Sequence, residues 1–362
     1  MKQISRLVTA GSARGLCLAG ILLLCACANH APPGETIDFQ SADYSFLSEP
    51  LEGDPGIERT VNGLLLLPGP ETGNPPYPAV VMLHSSWGRG EQEWGYAEHL
   101  LDRGIAVFAI DSFHPRGEYN TSSDQSLVSE TSMLQDAFSA LDRLSADPRI
   151  DREHIGILGF SKGGIVALYS ANQRISKAMA RDGNRFAAHI AYYPWCGIHM
   201  MDPKTTGMPI LIQTGTEDSI TPLALCRELA AQIRQADSRS NIEVIGYENA
   251  RHGFDHPMLK NLSWVPMGAQ VPGDCRITEV SKLRFVEETT QENVDATNIY
   301  RVLRRCGGFN GVAGGNPNAR EAALEAMLQK FSIALLGAGS VNIPLAAALN
   351  AASEGQRQTV IK

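Results

Sequence analysis

The chain has 362 residues and a formal net charge of −8 at pH 7. An acidic chain lacks the basic surface that nucleic acid binding requires, so we expect no nucleic acid partner. The length exceeds that of an average domain but fits a single α/β domain with insertions. We find no internal repeat, no cysteine spacing typical of zinc sites and no glycine-rich dinucleotide motif, so the sequence predicts neither a metal nor a cofactor.

Residues 1–26 have the features of a signal peptide. Basic residues precede an apolar stretch at 16–26 that is too short to span a membrane. The segment holds three basic and no acidic residues, so its removal would make the mature chain more acidic still. The sequence therefore predicts an exported protein.

The end of this segment, Leu24 to Cys27, resembles a bacterial lipobox. A branched apolar residue stands three positions before Cys27, and a small residue stands directly before it. The resemblance implies lipidation of Cys27, which would hold the protein at a membrane through its buried acyl chains. The residue after the cysteine is Ala28, and in this it resembles lipoproteins that are sorted to the outer membrane. We therefore expect the protein in the outer membrane, facing the periplasm. Ordinary secretory cleavage after Ala26 or Ala28 is the alternative.

Residues 27–59 are rich in proline, glycine and acidic residues, and we predict a tether and lead-in segment there. From residue 60 to residue 248, strand patterns alternate with helical patterns. This alternation indicates the α/β class, with a mostly parallel sheet that is covered by helices on both faces.

Residues 256–316 depart from the alternation. We predict that they form an insertion before the last amphipathic helix, at 319–336. The predicted organisation is one α/β domain at 60–337, which includes the insertion, and a C-terminal tail rich in small residues at 338–362.

A glycine-rich turn at 159–163 lies between a short apolar run and a helical pattern that begins at Lys162. Its G-x-S-x-G form is that of a nucleophile elbow. Small residues two positions before and after Ser161 let the strand and helix backbones approach closely, and the serine hydroxyl is then held within reach of a base. A plain glycine-rich turn is the alternative, but the strand-to-helix setting favours Ser161 as a nucleophile.

The acid of such a site is expected after a later strand. The apolar run at 208–215 is typical of a buried strand, and Glu217 and Asp218 follow it just before a helix opened by Thr221 and Pro222. We predict Asp218 as the acid. Glu217 is the competitor for this role, and capping of the helix is the alternative role for either carboxylate.

A further strand pattern, at 242–247, leads into a loop that contains His252 and Gly253. The chain order of serine, acid and histidine places the base in this loop, so we predict His252, with His256 as the main rival. In the mechanism that follows, His252 removes the proton of Ser161, Asp218 orients the imidazolium, and water hydrolyses an acyl-enzyme.

An oxyanion hole completes such a site. We expect one donor to be the backbone N–H of Lys162, whose side chain then need not matter. The other donor is expected in the loop after the strand pattern at 78–84, and we place it at the N–H of Ser86. A polar turn is the alternative for this loop. Trp87, in the same loop, is predicted to contact the substrate.

Together these segments resemble the dienelactone hydrolases of the α/β-hydrolase superfamily. The resemblance implies that the domain at 60–337 has the α/β-hydrolase fold and hydrolyses a small ester without a cofactor. It extends from about residue 78 to residue 337 and rests on the elbow and five further segments: 84–88, 111–117, 193–196, 215–218 and 250–254.

The chain departs from the family pattern at two places. The best-known members carry a cysteine nucleophile and a glutamate in the first loop, where this chain has Ser161 and Ser85. Those members also bind a substrate carboxylate with arginines, one of them at the position of His256. Arg116 and Arg251 are the remaining candidates to bind such a substrate, with loop bracing as the alternative. Dienelactone itself is therefore not the expected substrate.

Four cysteines remain beyond the predicted signal peptide besides Cys27. Three pairings are open. We predict Cys196–Cys226, because successive strands can place these positions side by side at the carboxyl edge of the sheet. The second pair is then Cys275–Cys306, within the insertion. Four free, buried thiols are the alternative.

The sequence as a whole predicts an exported, lipid-anchored serine hydrolase that acts on a small ester or related acyl compound. Two other classes stay open. The first is a non-catalytic envelope protein that uses the fold as a binding module. The second is a peptidase or an acyltransferase with the same three catalytic residues.

Overall fold

The computed structural model describes residues 31–267, 271–308, 311–337 and 359–361. The predicted signal peptide, the lipidation site Cys27 and most of the predicted tail at 338–362 lie outside the described residues. None of the helices within the described ranges combines the length and the apolar character needed to cross a bilayer.

Strands and helices are numbered in chain order. The strands are β1 Glu35–Asp43, β2 Ile57–Leu66, β3 Tyr77–Leu83, β4 Ala106–Asp111, β5 Ile150–Phe160, β6 His189–Tyr192, β7 Ile198–His199, β8 Ile210–Gly215, β9 Ile242–Tyr247, β10 Val265–Met267, β11 Ile277–Ser281, β12 Arg284–Glu287, β13 Asn293–Val294, β14 Gly311–Ala313 and β15 Thr359–Ile361. The α-helices are α1 Ser48–Glu52, α2 Glu91–Leu101, α3 Glu130–Ser145, α4 Lys162–Tyr169, α5 Gln173–Met179, α6 Leu223–Ala236, α7 Ile299–Cys306 and α8 Pro317–Phe331.

In the described part of the chain, nine strands form the central sheet, in the order β1-β2-β4-β3-β5-β6-β8-β9-β15. The inner strands β4, β3, β5, β6, β8 and β9 are parallel to one another. The strands β1, β2 and β15, at the two edges, are antiparallel to theirs. The predicted mostly parallel α/β sheet is therefore confirmed.

Helices cover both faces of this sheet. Along β3, Val81 and Leu83 belong to a core on one face, to which α3, α4 and α6 contribute. Val80 and Met82 belong to the core on the opposite face, to which α2 and α8 contribute. Strands of a parallel sheet need such continuous apolar runs because both of their faces are buried.

The parallel arrangement brings three loops to one edge of the sheet. The loops that follow β5, β8 and β9 all leave from the carboxyl ends of their strands, where α/β sheets usually bind ligands. These loops carry Ser161, Asp218 and His252, respectively.

The structure corrects the predicted lead-in segment at 27–59. From Glu35 to Asp43 this segment forms β1, which pairs with β2 along its whole length. Ile37 and Phe39 alternate with polar residues and pack into the core, a pattern typical of an edge strand with one buried face. The acidic, proline-rich composition around this short alternation concealed it.

The insertion predicted at 256–316 holds β10 to β14 and α7 in its described part. The strands β11, β12 and β13 form a small sheet with β7, and β10 pairs with β14. The helix α7 lies against α3, where the Tyr300 hydroxyl donates to the Glu130 carboxylate at 2.8 Å. The insertion therefore packs back onto the main domain.

Both predicted disulfides are present in the structure. Cys196 and Cys226 are bonded, with their Cα atoms 4.9 Å apart, and join the segment after β6 to the first turn of α6. Cys275 and Cys306 are bonded, with their Cα atoms 5.6 Å apart, and join the residues before β11 to the end of α7. The two pairings are as predicted.

Candidate active site

Ser161 stands at the turn between β5 and α4. Its backbone has φ 52° and ψ −109°, in the positive-φ region that non-glycine residues seldom adopt. An added Cβ at Gly159 would collide with the carbonyl of Gly163, and one at Gly163 would lie 2.6 Å from the carbonyl oxygen of His84. Both glycines of the motif are therefore required by close backbone approach, as expected for a nucleophile elbow.

The structure brings Ser161, His252 and Asp218 into one hydrogen-bonded row. The Ser161 Oγ atom lies 2.9 Å from Nε2 of His252. The His252 Nδ1 atom lies 2.9 Å from Oδ2 of Asp218. Because an ionised carboxylate only accepts hydrogen bonds, Nδ1 carries the proton and Nε2 is free to accept the serine proton.

Asp218 is buried and is held by hydrogen bonds from the loop that follows it. Its Oδ1 atom accepts the backbone N–H of Ile220 at 2.9 Å and that of Thr221 at 2.8 Å. The Thr221 hydroxyl lies 2.9 Å from Oδ2 of the same carboxylate. These contacts fix the carboxylate in the plane that faces the histidine, and Thr221 is a site residue that the sequence analysis missed.

The competing candidates lie elsewhere. Glu217 forms an ion pair with Arg251 on the surface of the same region. His256 packs edge-on against the ring of Trp87, with ring centroids 4.8 Å apart, and its Nδ1 accepts the N–H of Met258. Burial lowers the pKa of His256. Within the described residues, Glu217 is not hydrogen-bonded to His252, and His256 is not hydrogen-bonded to Ser161.

The two predicted oxyanion donors border the same space as Ser161. Lys162 is the first residue of α4, so its backbone N–H has no partner within the helix. The loop of Ser86 is held by the N–H of Thr121, which donates to the Ser86 carbonyl at 2.8 Å. The Ser86 hydroxyl donates to Oε1 of Gln125 at 3.1 Å. The positions fit the predicted roles, which remain predictions.

The side chain of Lys162, which we expected need not matter, makes two hydrogen bonds and an ion pair. Its Nζ atom is buried and donates to the carbonyl oxygen and the Oε1 atom of Gln125, at 2.9 and 3.0 Å. It also pairs with Oε1 of Glu130 at 3.1 Å. Burial lowers the pKa of this ammonium, and the Glu130 carboxylate opposes the shift. Because Gln125 also accepts from Ser86, the lysine is linked to the loop of the second oxyanion donor.

The structure corrects the prediction that Arg116 binds substrate. Its guanidinium pairs with Asp43 at 2.7 Å and with Asp136 at 2.8 Å, and it donates to the carbonyl of Ser112 at 2.7 Å. Asp43 lies on β1, so the arginine braces the edge of the sheet against α3. Arg116 therefore has the bracing role that was the alternative. Arg251, the second candidate, pairs with Glu217 instead.

Two pockets meet at Ser161. The first, which we call the α7 pocket, holds about 860 Å³ of empty space including its opening and extends between α4 and α7. The second, which we call the histidine pocket, holds about 520 Å³ and is lined by His252, Trp87 and Tyr193. Ser86, Gln125 and Ser161 line both. The predicted contact residue Trp87 is therefore placed beside the nucleophile.

A buried polar cluster packs against the ring of His252. The ring of Tyr193 lies 4.7 Å from that of His252 and meets it edge-on. The Gln92 amide donates to the Tyr193 hydroxyl at 2.7 Å and to Asp255 at 2.9 Å. Burial raises the pKa of the neighbouring Glu93 to about 8, and the negative charge of Asp255 adds to the shift. This cluster was not predicted, because its members are far apart in the chain.

Within the described ranges, no cluster of three or more His, Cys, Asp or Glu side chains has an arrangement that could hold a metal ion. The contacts of Ser161 with His252 and of His252 with Asp218 can activate a serine hydroxyl. Backbone N–H groups beside Ser161 can stabilise an oxyanion.

Comparisons with known proteins were made for the sequence and for the fold. The model of the dienelactone hydrolase family matches residues 65–263, which include Ser161, Asp218 and His252. No curated protein shows significant similarity to the chain.

Solved structures that are similar to the chain include the following two. One is a dienelactone hydrolase-like promiscuous phosphotriesterase from metagenomic libraries, at 18% sequence identity and a TM-score of 0.48, with 83% of this chain and 99% of that chain covered. The other is esterase 2 of Thermogutta terrifontis, at 20% identity and a TM-score of 0.42, with 54% of this chain and 80% of that chain covered.

Proposed function

This chain belongs to the dienelactone hydrolase family, and we propose that it is a serine hydrolase that cleaves a small ester or related acyl compound through an acyl-enzyme. Ser161 is the nucleophile, His252 the base and Asp218 the residue that orients the histidine. The observation that carries the proposal is the pair of 2.9 Å contacts from Ser161 Oγ to His252 and from His252 to Asp218.

In the first step, Ser161 Oγ attacks the carbonyl carbon of the ester while Nε2 of His252 takes its proton. The carbonyl oxygen becomes an oxyanion, which accepts hydrogen bonds from the backbone N–H groups of Lys162 and Ser86. When the intermediate collapses, the bond to the leaving oxygen breaks and His252 gives that oxygen the proton. An alcohol leaves, and the acyl group stays on Ser161.

In the second step, water replaces the alcohol. His252 takes a proton from the water as its oxygen attacks the acyl carbon. Collapse of the second tetrahedral intermediate returns a proton from His252 to Ser161 Oγ and releases a carboxylic acid. The carboxylate of Asp218 stabilises the imidazolium in both steps, and no proton needs to pass to it.

A fluorophosphonate probe tests the proposal, because it reacts covalently with activated serines. The wild-type protein should be labelled at Ser161 and should hydrolyse p-nitrophenyl esters. Ser161→Ala should lose labelling and lower turnover by several orders of magnitude, while the oxyanion hole leaves a residual rate. A wild-type protein that neither reacts with the probe nor turns over an ester would support a binding module instead.

The same assay separates ester hydrolysis from peptide cleavage and acyl transfer. Matched ester and amide substrates should show turnover of the ester. An added alcohol should leave the carboxylic acid as the main product. A preferred amide, or a transferred acyl group as the main product, would favour one of the alternative reactions on the same three residues.

We also propose that the protein is exported and anchored in the outer membrane, facing the periplasm, through acyl chains on Cys27. The signal-like segment at 1–26 supports export, and so do the two disulfides, which persist in oxidising compartments. Cys27→Ser should move the protein from the membrane fraction to the soluble periplasmic fraction. Unchanged membrane association of this variant would contradict the anchor.

A further inference from the structure

The two pockets at Ser161 are lined by different groups. This difference indicates which part of the ester each pocket binds. The inference rests on the proposed serine mechanism, because it assigns the two halves of the ester to the two sides of the nucleophile. The assignment depends on which pocket holds the group that protonates the leaving oxygen.

His252 lines the histidine pocket and is absent from the described lining of the α7 pocket. The leaving oxygen must lie within reach of Nε2 of His252 to receive its proton. The alcohol part of the ester therefore extends into the histidine pocket, past Trp87. The acyl part extends to the other side of Ser161, where the α7 pocket begins.

The wall of the α7 pocket is mostly apolar. Its side chains include Leu134 of α3 and Ile165 of α4, together with Ile299 and Leu303 of α7. The pocket reaches Ser161, so an acyl group on that serine can extend along this wall. Apolar walls favour hydrocarbon, and each buried methylene can raise the affinity of a ligand up to about fourfold.

The charged groups of this pocket are already paired. Lys162 is the one basic residue among its described lining residues. Its three possible hydrogen bonds are used by Gln125, twice, and by Glu130. The second oxygen of Glu130 accepts the hydroxyl of Tyr300 at 2.8 Å. A carboxylate on an acyl chain would therefore enter a pocket with no unpaired cation to receive it, at a large desolvation cost.

We propose that the α7 pocket binds the acyl group of the substrate, and that this group is an uncharged aliphatic or aromatic chain longer than acetyl. The alcohol part occupies the histidine pocket. The insertion supplies Ile299, Tyr300 and Leu303 to the wall, so the helix α7 determines the length and shape of the acyl groups that the enzyme accepts.

Substrate series provide the first test. Among p-nitrophenyl esters, kcat/KM should rise from acetate to hexanoate by up to about fourfold per methylene. The p-nitrophenyl monoester of adipic acid has the same number of acyl carbons but ends in a carboxylate, and its kcat/KM should be at least about tenfold lower than that of the hexanoate. Equal or faster cleavage of the charged ester would overturn the assignment of an uncharged acyl group.

A crossed pair of variants provides the second test. Leu303→Trp fills the α7 pocket, so it should lower kcat/KM for the hexanoate at least about tenfold while acetate changes by less than about threefold. Trp87→Ala widens the histidine pocket, so it should change the preference between phenyl and 1-naphthyl acetate but leave the acyl-length profile as it is. The opposite pattern would overturn the orientation.

Two controls keep the tests decisive. An unchanged far-UV circular dichroism spectrum and an unchanged thermal midpoint show that a variant is folded. If Leu303→Trp fails this check, Leu303→Ala is used, and it should shift the optimum to longer acyl chains. A wild-type enzyme that labels at Ser161 but shows no dependence on acyl length refutes this inference alone. A wild-type protein that does not label refutes the serine mechanism itself.

Discussion

Lys162 and Glu130 form an ion pair in the wall of the α7 pocket, with 3.1 Å between Nζ and Oε1. The lysine side chain is 1% exposed and the glutamate side chain is 25% exposed. Removal of one partner of a buried pair leaves the other charge without compensation, whereas removal of both can be nearly neutral. Lys162 directly follows the proposed nucleophile. The difference between single and double substitutions should therefore be measurable in both stability and activity.

Lys162→Met should lower the free energy of unfolding by about 2 kcal/mol, because Glu130 then keeps its charge without a cation beside it. The double variant Lys162→Met with Glu130→Gln should recover a substantial part of this loss. Urea unfolding of the purified proteins measures both differences. If the double variant is as unstable as the single one, the loss arises from packing and not from the charge.

Gln125 is predicted to position the oxyanion loop. Its Oε1 atom accepts from Lys162 at 3.0 Å and from the Ser86 hydroxyl at 3.1 Å. Gln125→Ala should lower kcat about tenfold with little change in KM, because the backbone donor of Ser86 is then less well fixed.

Binding of a trifluoromethyl ketone, which forms an oxyanion on Ser161, should weaken in proportion to the fall in kcat. Ser86→Ala keeps the backbone N–H but removes the hydroxyl, so its effect should not add to that of Gln125→Ala. A raised KM with unchanged kcat would place Gln125 in substrate binding instead.

Substitution of the two neighbouring carboxylates, Asp218 and Glu217, distinguishes the predicted acid from its rival. Asp218→Asn should lower kcat by about 10³ to 10⁴-fold, because an amide favours the wrong tautomer of His252. Glu217→Gln should stay within about twofold of the wild type, since its carboxylate pairs with Arg251 on the surface. Steady-state kinetics with one p-nitrophenyl ester measures both. A large loss in Glu217→Gln would mean that the acid has been misassigned.

The sequence predicted the parts of the site that depend on local patterns. The elbow around Ser161 is a five-residue motif between a strand and a helix, and the loops of Asp218 and His252 follow strands in a fixed chain order. Such features are set by backbone conformation and by topology, and both can be read from short segments. The pairing of the cysteines followed from the same topology.

The parts that were missed depend on contacts between distant segments. Lys162 meets Gln125 across 37 residues of chain, so no local pattern indicates that its side chain is engaged. The bracing role of Arg116 depends on its ion pair with Asp43. Asp43 lies on β1, a strand that the composition of the segment did not indicate. Thr221 was recognised only as the start of a helix, and its contact with Asp218 needs the folded loop after β8.

The carboxyl group of Glu93 is expected to make the free energy of unfolding depend on pH. Burial raises the pKa of its carboxyl from 4.5 to about 8. Between about pH 4.5 and pH 8 the folded protein therefore keeps a proton that the unfolded chain has released. The stability contributed by the neutral group is present below this window and is lost as the pH rises through it.

Glu93→Gln carries a neutral side chain at every pH. Its free energy of unfolding should exceed that of the wild type by less than about 1 kcal/mol near pH 5 and by at least about 3 kcal/mol near pH 8. Glu91→Gln, on the exposed side of the same helix, is the control and should show no such trend. A difference between Glu93→Gln and the wild type that is constant from pH 5 to pH 8 would mean that Glu93 is ionised in the folded protein.

The two disulfides close loops of nearly equal length, with separations of 30 and 31 residues. Removal of either pair should therefore lower the free energy of unfolding by a similar amount, about 3 to 4 kcal/mol by the chain-entropy estimate. Their effects on activity should differ, because Cys226 lies in α6, after the Asp218 loop, whereas Cys306 ends α7.

Replacement of Cys275 and Cys306 by alanine frees the end of the helix that walls the α7 pocket, so kcat/KM should fall more for the hexanoate than for the acetate. Replacement of Cys196 and Cys226 by alanine loosens the support of the Asp218 loop, so it should lower turnover of both esters by the same factor. The ratio of hexanoate to acetate kcat/KM, measured at a temperature where both variants are folded, separates these effects. An unchanged ratio in the Cys275→Ala/Cys306→Ala variant would show that the disulfide is not needed to hold α7 over the acyl group.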